Sequence, residues 1–169
     1  MKLYLVRHGI AWDVGQKGIC RDFDRSLSDV GVEKTRAAAR GLKALGHVPD
    51  LIGTSPLVRA EQTAQIFREE LNAATPFEVV DFMAPGGDVA DLFIWLKSHD
   101  AKAAMVVGHM PDLAWMTYSC LHQADRTQLH FKKAAVACVD FEGRPGAGRG
   151  RLDWFHQPRY LREQAGGAR

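Results

Sequence analysis

The stretch that decides the fold is Met1-Lys2-Leu3-Tyr4-Leu5-Val6-Arg7-His8-Gly9. Its apolar run from Leu3 to Val6 contains an aromatic and a β-branched residue, which is typical of a strand covered on both faces of a parallel sheet. Arg7 and His8 follow this run at once, and Gly9 allows the backbone to turn and to approach a ligand closely. Because open α/β folds bind ligands at the carboxyl ends of their strands, the stretch predicts a polar site at that edge.

Length and composition are those of one ordinary globular domain. The chain has 169 residues, of which 46% are hydrophobic and 25% are charged. A chain of this size buries about 70% of its unfolded surface in a single core. We expect one domain over residues 1–164 and a frayed tail over 165–169. The net charge of +2 suits an anionic substrate but is far from the basic excess of nucleic-acid-binding proteins, so no such partner is expected.

The cysteines and the apolar segments bear on the cellular compartment. Cys20, Cys120 and Cys138 have no C-x-x-C spacing, which indicates buried thiols rather than a disulfide framework or a zinc site. The first apolar run is too short for a signal-peptide core. No apolar stretch approaches the length that spans a membrane. The sequence therefore predicts a cytoplasmic protein with no membrane partner.

Strand and helix signals alternate along most of the chain. Apolar runs predict strands over 3–6, 49–54, 77–80 and 103–107. Caps and prolines predict helix starts at Ser28, at Ser55-Pro56, at Asp88 and at Pro111. Two further strands, over 135–141 and 151–155, are joined by a glycine-rich loop as a hairpin. This order predicts an α/β fold of three αβα layers, with a mainly parallel central sheet and an antiparallel edge.

Four segments together resemble the signatures of the histidine phosphatase (phosphoglycerate mutase-like) superfamily. They are Arg7-His8-Gly9, Arg25-Ser26-Leu27-Ser28, the helix start over 54–64 and Val107-Gly108-His109. The resemblance implies the fold of that family and a phosphatase in which a histidine takes the phosphoryl group covalently. The residues that it places in the catalytic site are His8, Arg7, Arg59 and His109. Those that it assigns to substrate binding are Arg25 and Gly9.

Phosphoryl transfer requires these residue types for physical reasons. Negative charge spreads over the oxygens of the transferred group, so a site without a metal needs several fixed cations, and arginine forks bind two oxygens at a time. We expect His8 to attack as a neutral imidazole whose second ring nitrogen donates to a backbone carbonyl. His109 is expected to donate to a phosphoryl oxygen. Since no carboxylate cluster could hold a cation, no metal and no cofactor are expected.

Two assignments stay open at this point. Arg21 lies four residues before Arg25 in the same loop, and Arg25 is favoured because of its distance to the helix cap. The other five histidines have no metal-ligand spacing and are predicted to lie at the surface or at an edge. They are His47, His99, His122, His130 and His156.

The short connections leave no room for a lid domain, and the segment over 80–88 lacks the glutamate that protonates the leaving oxygen in many family members. This compactness, with Pro85, Gly87 and Asp88 in a P-x-G-D arrangement, resembles the SixA-type phosphohistidine phosphatases. The resemblance implies a signalling role with a phosphorylated histidine phosphotransfer domain as partner. Asp81 or Asp88 stays open as a substitute acid, although a helix cap explains Asp88 equally well.

Two other functions stay open beside this one. The first is a lidless phosphomonoesterase that acts on a small metabolite or on phosphoserine. The second is a non-catalytic phosphate-recognition module, which the presence of both His8 and His109 disfavours. The oligomeric state is open as well, and a monomer is compatible with the sequence.

Overall fold

The computed structural model describes residues 1–122 and 129–166, and its strands form one sheet. The strands are β1 Lys2–Arg7, β2 Leu51–Thr54, β3 Phe77–Val79, β4 Ala103–Gly108, β5 Val136–Phe141 and β6 Gly150–His156. Their order across the sheet is β3-β2-β4-β1-β5-β6. Strands β1 to β4 are parallel, whereas β5 is antiparallel to both β1 and β6. This arrangement confirms the predicted mainly parallel sheet with an antiparallel edge.

Helices cover both faces of the sheet. They are α1 Asp29–Ala44, α2 Val58–Leu71, α3 Val89–Ser98, α4 Asp112–Cys120 and α5 Pro158–Ala165. Apolar residues of α1, α2 and α5 pack on one face, and those of α3 and α4 pack on the other. Short 3₁₀ turns occur at Asp22–Asp24 and at Asp81–Met83. The predicted three-layer αβα architecture is therefore confirmed.

The first strand supplies both cores. Leu3 and Leu5 belong to the core under α3 and α4, whereas Tyr4 and Val6 belong to the core under α1, α2 and α5. All four side chains are at most 3% exposed. Because alternate residues of a strand point to opposite faces, a strand covered on both sides must be apolar throughout. The apolar run from Leu3 to Val6 is unbroken because β1 is covered on both faces.

The helix that carries Arg59 begins later than predicted. Ser28 caps α1 as expected, with its Oγ accepting from the N–H of Gly31 at 3.0 Å. Helix α2, however, has Leu57 as its N-cap, so neither Ser55 nor Pro56 holds the predicted position. The Ser55 hydroxyl contacts the ring of His109 instead, and the helix starts only after the chain has left that contact.

Helix α5 was not predicted, although Pro158 in its first turn is a helix-start signal. It packs on α1 at Gly41, where an added methyl group would overlap the carbonyl oxygen of Leu161. The predicted frayed tail is wrong at Ala165, which belongs to α5. Its last three positions, 167–169, lie outside the described residues.

The predicted burial of the cysteines and exposure of five histidines agree with the structure except at one cysteine. Cys120 and Cys138 are buried as expected, but Cys20 is exposed in the polar loop after β1. The five histidines without a predicted role are all exposed or half-buried. Among the described residues, no helix combines the length and the apolar composition that crossing a bilayer requires.

Candidate active site

The sheet register brings the two predicted histidines together. Arg7 pairs with Gly108 across β1 and β4, so the next residues, His8 and His109, leave the sheet side by side. The backbone N–H of His8 donates to the carbonyl of Gly108 at 3.1 Å. The two ring centroids lie 5.0 Å apart. Both side chains are buried at the edge that the sequence predicted.

His8 is held as a neutral imidazole with a defined tautomer. Its Nδ1 lies 2.7 Å from the carbonyl oxygen of Gly9, so we assign the ring proton to Nδ1 and a lone pair to Nε2. Burial, together with the neighbouring His109 and Arg59, lowers the pKa of His8 to about 3. The acceptor is a backbone carbonyl, as the chemistry of the sequence suggested.

Gly9 is required for a close approach within the protein. Its backbone φ is not in the left-handed region, so the expected turn does not depend on glycine. A methyl group at this position would overlap Thr35 Oγ1 of helix α1. The N–H of Gly9 donates to Thr63 Oγ1 of helix α2 at 2.9 Å. Glycine therefore lets the segment after β1 lie between two helices that fix its path.

The predicted arginines lie at the same edge and are held by other groups. Arg59, in the first turn of α2, donates from Nη1 to the carbonyl of Asp22 at 2.6 Å and from Nη2 to its carboxylate at 2.9 Å. Arg7 donates from Nη1 to the carbonyl of Phe131 at 2.7 Å. These contacts immobilise both guanidinium groups beside the histidines.

Three buried nitrogens at this edge have no hydrogen-bond partner within the described residues. They are Nε of Arg7, Nε of Arg59 and Nδ1 of His109. The second nitrogen of His109 lies 2.8 Å from Ser55 Oγ, and a hydroxyl that donates to it leaves the ring proton on Nδ1. Buried donors are almost always paired, so three unpaired ones at one place form a candidate oxyanion site.

Arg25 lies closer to this site than Arg21 does. Arg25 is largely buried, donates to the carbonyl of Trp12 and pairs with Asp13 at 2.8 Å and with Asp22 at 3.0 Å. Arg21 is exposed and pairs with Asp24. Because Asp22 also binds Arg59, Arg25 is linked to the site through that carboxylate. It makes no hydrogen bond to either histidine within the described residues.

The sequence reasoning missed Lys133. The N–H of Ala134 donates to the carbonyls of Arg7 and His8, which holds the segment before β5 against the end of β1. Burial, together with the charges of Arg7 and Arg25, lowers the pKa of the half-buried Lys133. A usable signal was present, because the predicted antiparallel strand over 135–141 begins at the edge where the parallel strands end.

Asp22 was also missed. Desolvation alone would raise the pKa of Asp22, but hydrogen bonds from Arg25 and Arg59 outweigh it and hold the pKa below its usual value. The two carboxyls considered from the sequence are exposed: Asp81 lies in a 3₁₀ turn, and Asp88 caps α3 by accepting from the N–H of Ala90. In the described part of the chain, no group of three or more potential ligands is placed to hold a metal ion.

Comparison with known proteins identifies the family. The model of the histidine phosphatase superfamily (branch 1) matches residues 3–83. An uncharacterized protein of Picosynechococcus sp. is 36% identical over 140 residues, which cover 80% of this chain and 82% of that protein. The chain belongs to the histidine phosphatase superfamily. As a member of it, the protein is a histidine-nucleophile phosphatase.

SixA proteins are among its relatives in sequence and in structure. The phosphohistidine phosphatase SixA of Escherichia coli is 25% identical over 162 residues, with 94% of each chain covered. A solved structure of the protein histidine phosphatase SixA in complex with tungstate has a TM-score of 0.82 and 26% identity, with 95% of this chain and 99% of that chain covered. The similarity therefore extends over the whole domain, including the edge that carries His8 and His109.

The tautomer of His8 gives a first testable prediction. We expect ¹⁵N spectra of the free protein to show His8 with its proton on Nδ1 and no titration between pH 5 and 8, because its pKa is lowered to about 3. A His8 signal that titrates near pH 6.5 would contradict the assigned environment.

Proposed function

We propose that this phosphatase removes the phosphoryl group from phosphohistidine on a partner protein, through a phosphorylated His8. The observation that carries the proposal is the neutral ring of His8, anchored at Nδ1 and with Nε2 available beside the unpaired donors of Arg7, Arg59 and His109. The partner that we propose is a phosphotransfer protein of a cytoplasmic signalling pathway. Arg25 supports the site through Asp22.

In the first step, Nε2 of His8 donates its lone pair to phosphorus and forms a P–N bond. The other ring nitrogen of the substrate imidazole carries a proton taken from solvent, so when the bond between phosphorus and that imidazole breaks, the electron pair leaves with the ring as neutral imidazole. Charge that develops on the phosphoryl oxygens is stabilised by the nitrogens of Arg7, Arg59 and His109. The carbonyl of Gly9 stabilises the positive charge that His8 acquires as it attacks.

In the second step, water attacks the phosphorus of phosphorylated His8. The P–N bond breaks, and its electron pair returns to Nε2 while a proton of the water passes to solvent and orthophosphate leaves. The same three donors serve both steps, because the phosphoryl oxygens occupy the same place in each. His8 returns to the neutral state that its buried environment favours.

The protonation state of Asp22, the carboxyl that binds Arg59, supports this substrate class. A phosphate ester expels an alkoxide whose conjugate acid has a pKa of about 15 to 16, so its cleavage needs a proton donor beside the leaving oxygen. Asp22 is held ionised by Arg25 and Arg59 and cannot supply that proton. Phosphohistidine that is protonated from solvent on its other ring nitrogen expels a neutral imidazole, whose conjugate acid has a pKa of about 6.5, so it departs without a protein acid beside the leaving nitrogen.

The family comparison supports the same substrate. The relative from Escherichia coli is named a phosphohistidine phosphatase, and the related solved structure holds tungstate, a tetrahedral oxyanion like phosphate. A phosphoserine phosphatase of Entamoeba histolytica, solved with phosphoserine, has a TM-score of 0.64 at 17% identity, so that similarity supports the fold and says nothing about the substrate of this chain. The similarity thus favours phosphohistidine over phosphoserine.

A substrate panel tests the proposal. We expect kcat/KM at neutral pH to be at least about 10²-fold higher for a phosphorylated histidine phosphotransfer domain than for phosphoserine peptides or sugar phosphates, because only the first has a leaving group that departs without an acid. The assays contain EDTA, which should leave the rates unchanged because arginines supply the charge.

The same panel can refute the proposal. A sugar phosphate or a phosphoserine peptide that is turned over faster than the phosphohistidine protein would overturn it. Replacing Asp22, Asp81 and Asp88 singly with asparagine would then show which carboxyl donates the proton. Loss of activity with EDTA that a divalent ion restores would overturn the metal-free site.

A further inference from the structure

A basic cavity of about 300 Å³ lies beside the active site, between α1, α5 and the segment before β5. Its wall includes Ile10, Thr35 and Ala134. Four cationic side chains from three parts of the chain also line it: Lys34, Lys132, Lys133 and Arg162. None of the described residues that line this cavity is acidic.

The cavity is continuous with the segment that carries the candidate nucleophile. Ile10, on its wall, follows His8 by two residues, and Ala134 binds the carbonyl of His8 through its N–H. Lys133 lines the cavity and also lies close enough to the active site that, besides burial, the charges of Arg7 and Arg25 lower its pKa. A ligand that fills the cavity would therefore lie next to a phosphoryl group on His8.

The cationic groups of this cavity form no ion pair with the described carboxylates, although the charge of Asp13 acts on Lys133. Within residues 1–122 and 129–166, none of the four cationic groups lies within 4.0 Å of a carboxylate. The cavity between α1 and α2 differs, because Arg36 on its wall pairs with Glu69. Four like charges around one small space repel one another, and a bound anion would relieve that repulsion.

Thr35 lines the cavity between these cations. Its Oγ1 is fully buried and packs against Gly9, where an added methyl group would overlap it. The four cations therefore carry the candidate environment for an oxyanion.

We infer that this cavity is a carboxylate-binding subsite, which recognises acidic side chains next to the phosphohistidine of a polypeptide substrate; the inference rests on the proposed function. Lys34 and Lys132 are exposed point charges on flexible stems, which suit carboxylates that approach in more than one geometry. On a helical substrate, residues three or four positions from the phosphohistidine lie about 5 to 6 Å from it and face the same way. The subsite thus selects phosphohistidines with such acidic neighbours.

Two helical peptides test this inference directly. Each carries one histidine phosphorylated with phosphoramidate, and the positions three and four residues away hold glutamate in one peptide and glutamine in the other. An exposed ion pair changes affinity by about 1.4- to 5-fold. The glutamate peptide can form two such pairs, so we expect its kcat/KM to be higher by about 2- to 25-fold. The preference should shrink as salt concentration rises.

A triple variant assigns the preference to the cavity. Lys34→Gln, Lys132→Gln and Arg162→Gln together should abolish it, whereas turnover of N-phosphoimidazole, which has no carboxylate, should stay unchanged. Lys133 is left intact because it borders the nucleophile. The matched control replaces three exposed cations at the opposite edge of the sheet and should keep the preference: Lys97→Gln, Lys102→Gln and Arg144→Gln.

The outcomes separate this inference from the proposed function. Equal kcat/KM for the two peptides, or a preference that survives in the triple variant, would overturn the subsite and leave the proposed function standing. If fructose 1,6-bisphosphate is a better substrate than either peptide and the triple variant loses it, the subsite binds a second phosphate, and both the inference and the proposed function are wrong. Absence of turnover with both peptides and N-phosphoimidazole would instead refute the proposed function.

Discussion

Replacing His8 with alanine is expected to lower kcat/KM for a phosphohistidine protein by about 10⁴-fold or more, the scale on which the loss of a covalent nucleophile acts. The physical reason is that Nε2 of His8 is the proposed attacking atom, fixed by the hydrogen bond of Nδ1 to Gly9. Rapid denaturation of the wild-type protein during turnover should trap an acid-labile, base-stable phosphoryl group. The variant should trap none.

Two controls distinguish loss of the nucleophile from loss of the fold. His122→Ala alters an exposed histidine and should keep both turnover and labelling. His109→Ala removes a donor beside His8 and should slow turnover while a phosphoryl group is still trapped. Labelling that survives in His8→Ala would remove His8 as the nucleophile, whatever the rate.

The residues that follow directly after the buried strands, His8 and His109, could be placed in the site from the sequence. The apolar runs before His8 and before His109 indicate buried parallel strands, and such strands end at a common edge. The neighbouring positions of the two histidines follow from that geometry. The structure shows that β4 lies between β1 and β2, and the order of the strands along the chain does not predict this.

The residues that were missed depend on contacts between distant segments. Lys133 reaches the site because β5 is antiparallel to β1 and starts at its carboxyl end. Asp22 becomes important only when Arg59 contacts it across 37 positions of the chain. Ser55 resembles a helix cap in sequence, but in the structure its hydroxyl contacts His109 and the helix starts at Val58. Local patterns do not encode such contacts.

Replacing Arg59 with alanine is expected to lower kcat/KM for a phosphohistidine protein by about 10²- to 10³-fold, the loss seen when one fixed donor to transition-state charge is removed. The Nε of Arg59 is buried and unpaired, while both terminal nitrogens bind Asp22, so the side chain is already oriented before substrate arrives. Arg59→Lys should recover little activity, since lysine keeps the charge and loses the planar fork.

The alternative role for Arg59 is to anchor the loop that carries Asp22, and it can be tested from the other side of the same contact. Asp22→Ala removes the carboxylate that Arg59 binds but leaves the guanidinium and its buried Nε in the site. If Arg59 stabilises the phosphoryl group directly, Asp22→Ala should lower kcat/KM by less than about tenfold, because only positioning is lost. An equal loss in Asp22→Ala and Arg59→Ala would mean that Arg59 acts by holding the loop. In that case Arg7 and His109 would supply the donors to the transition state.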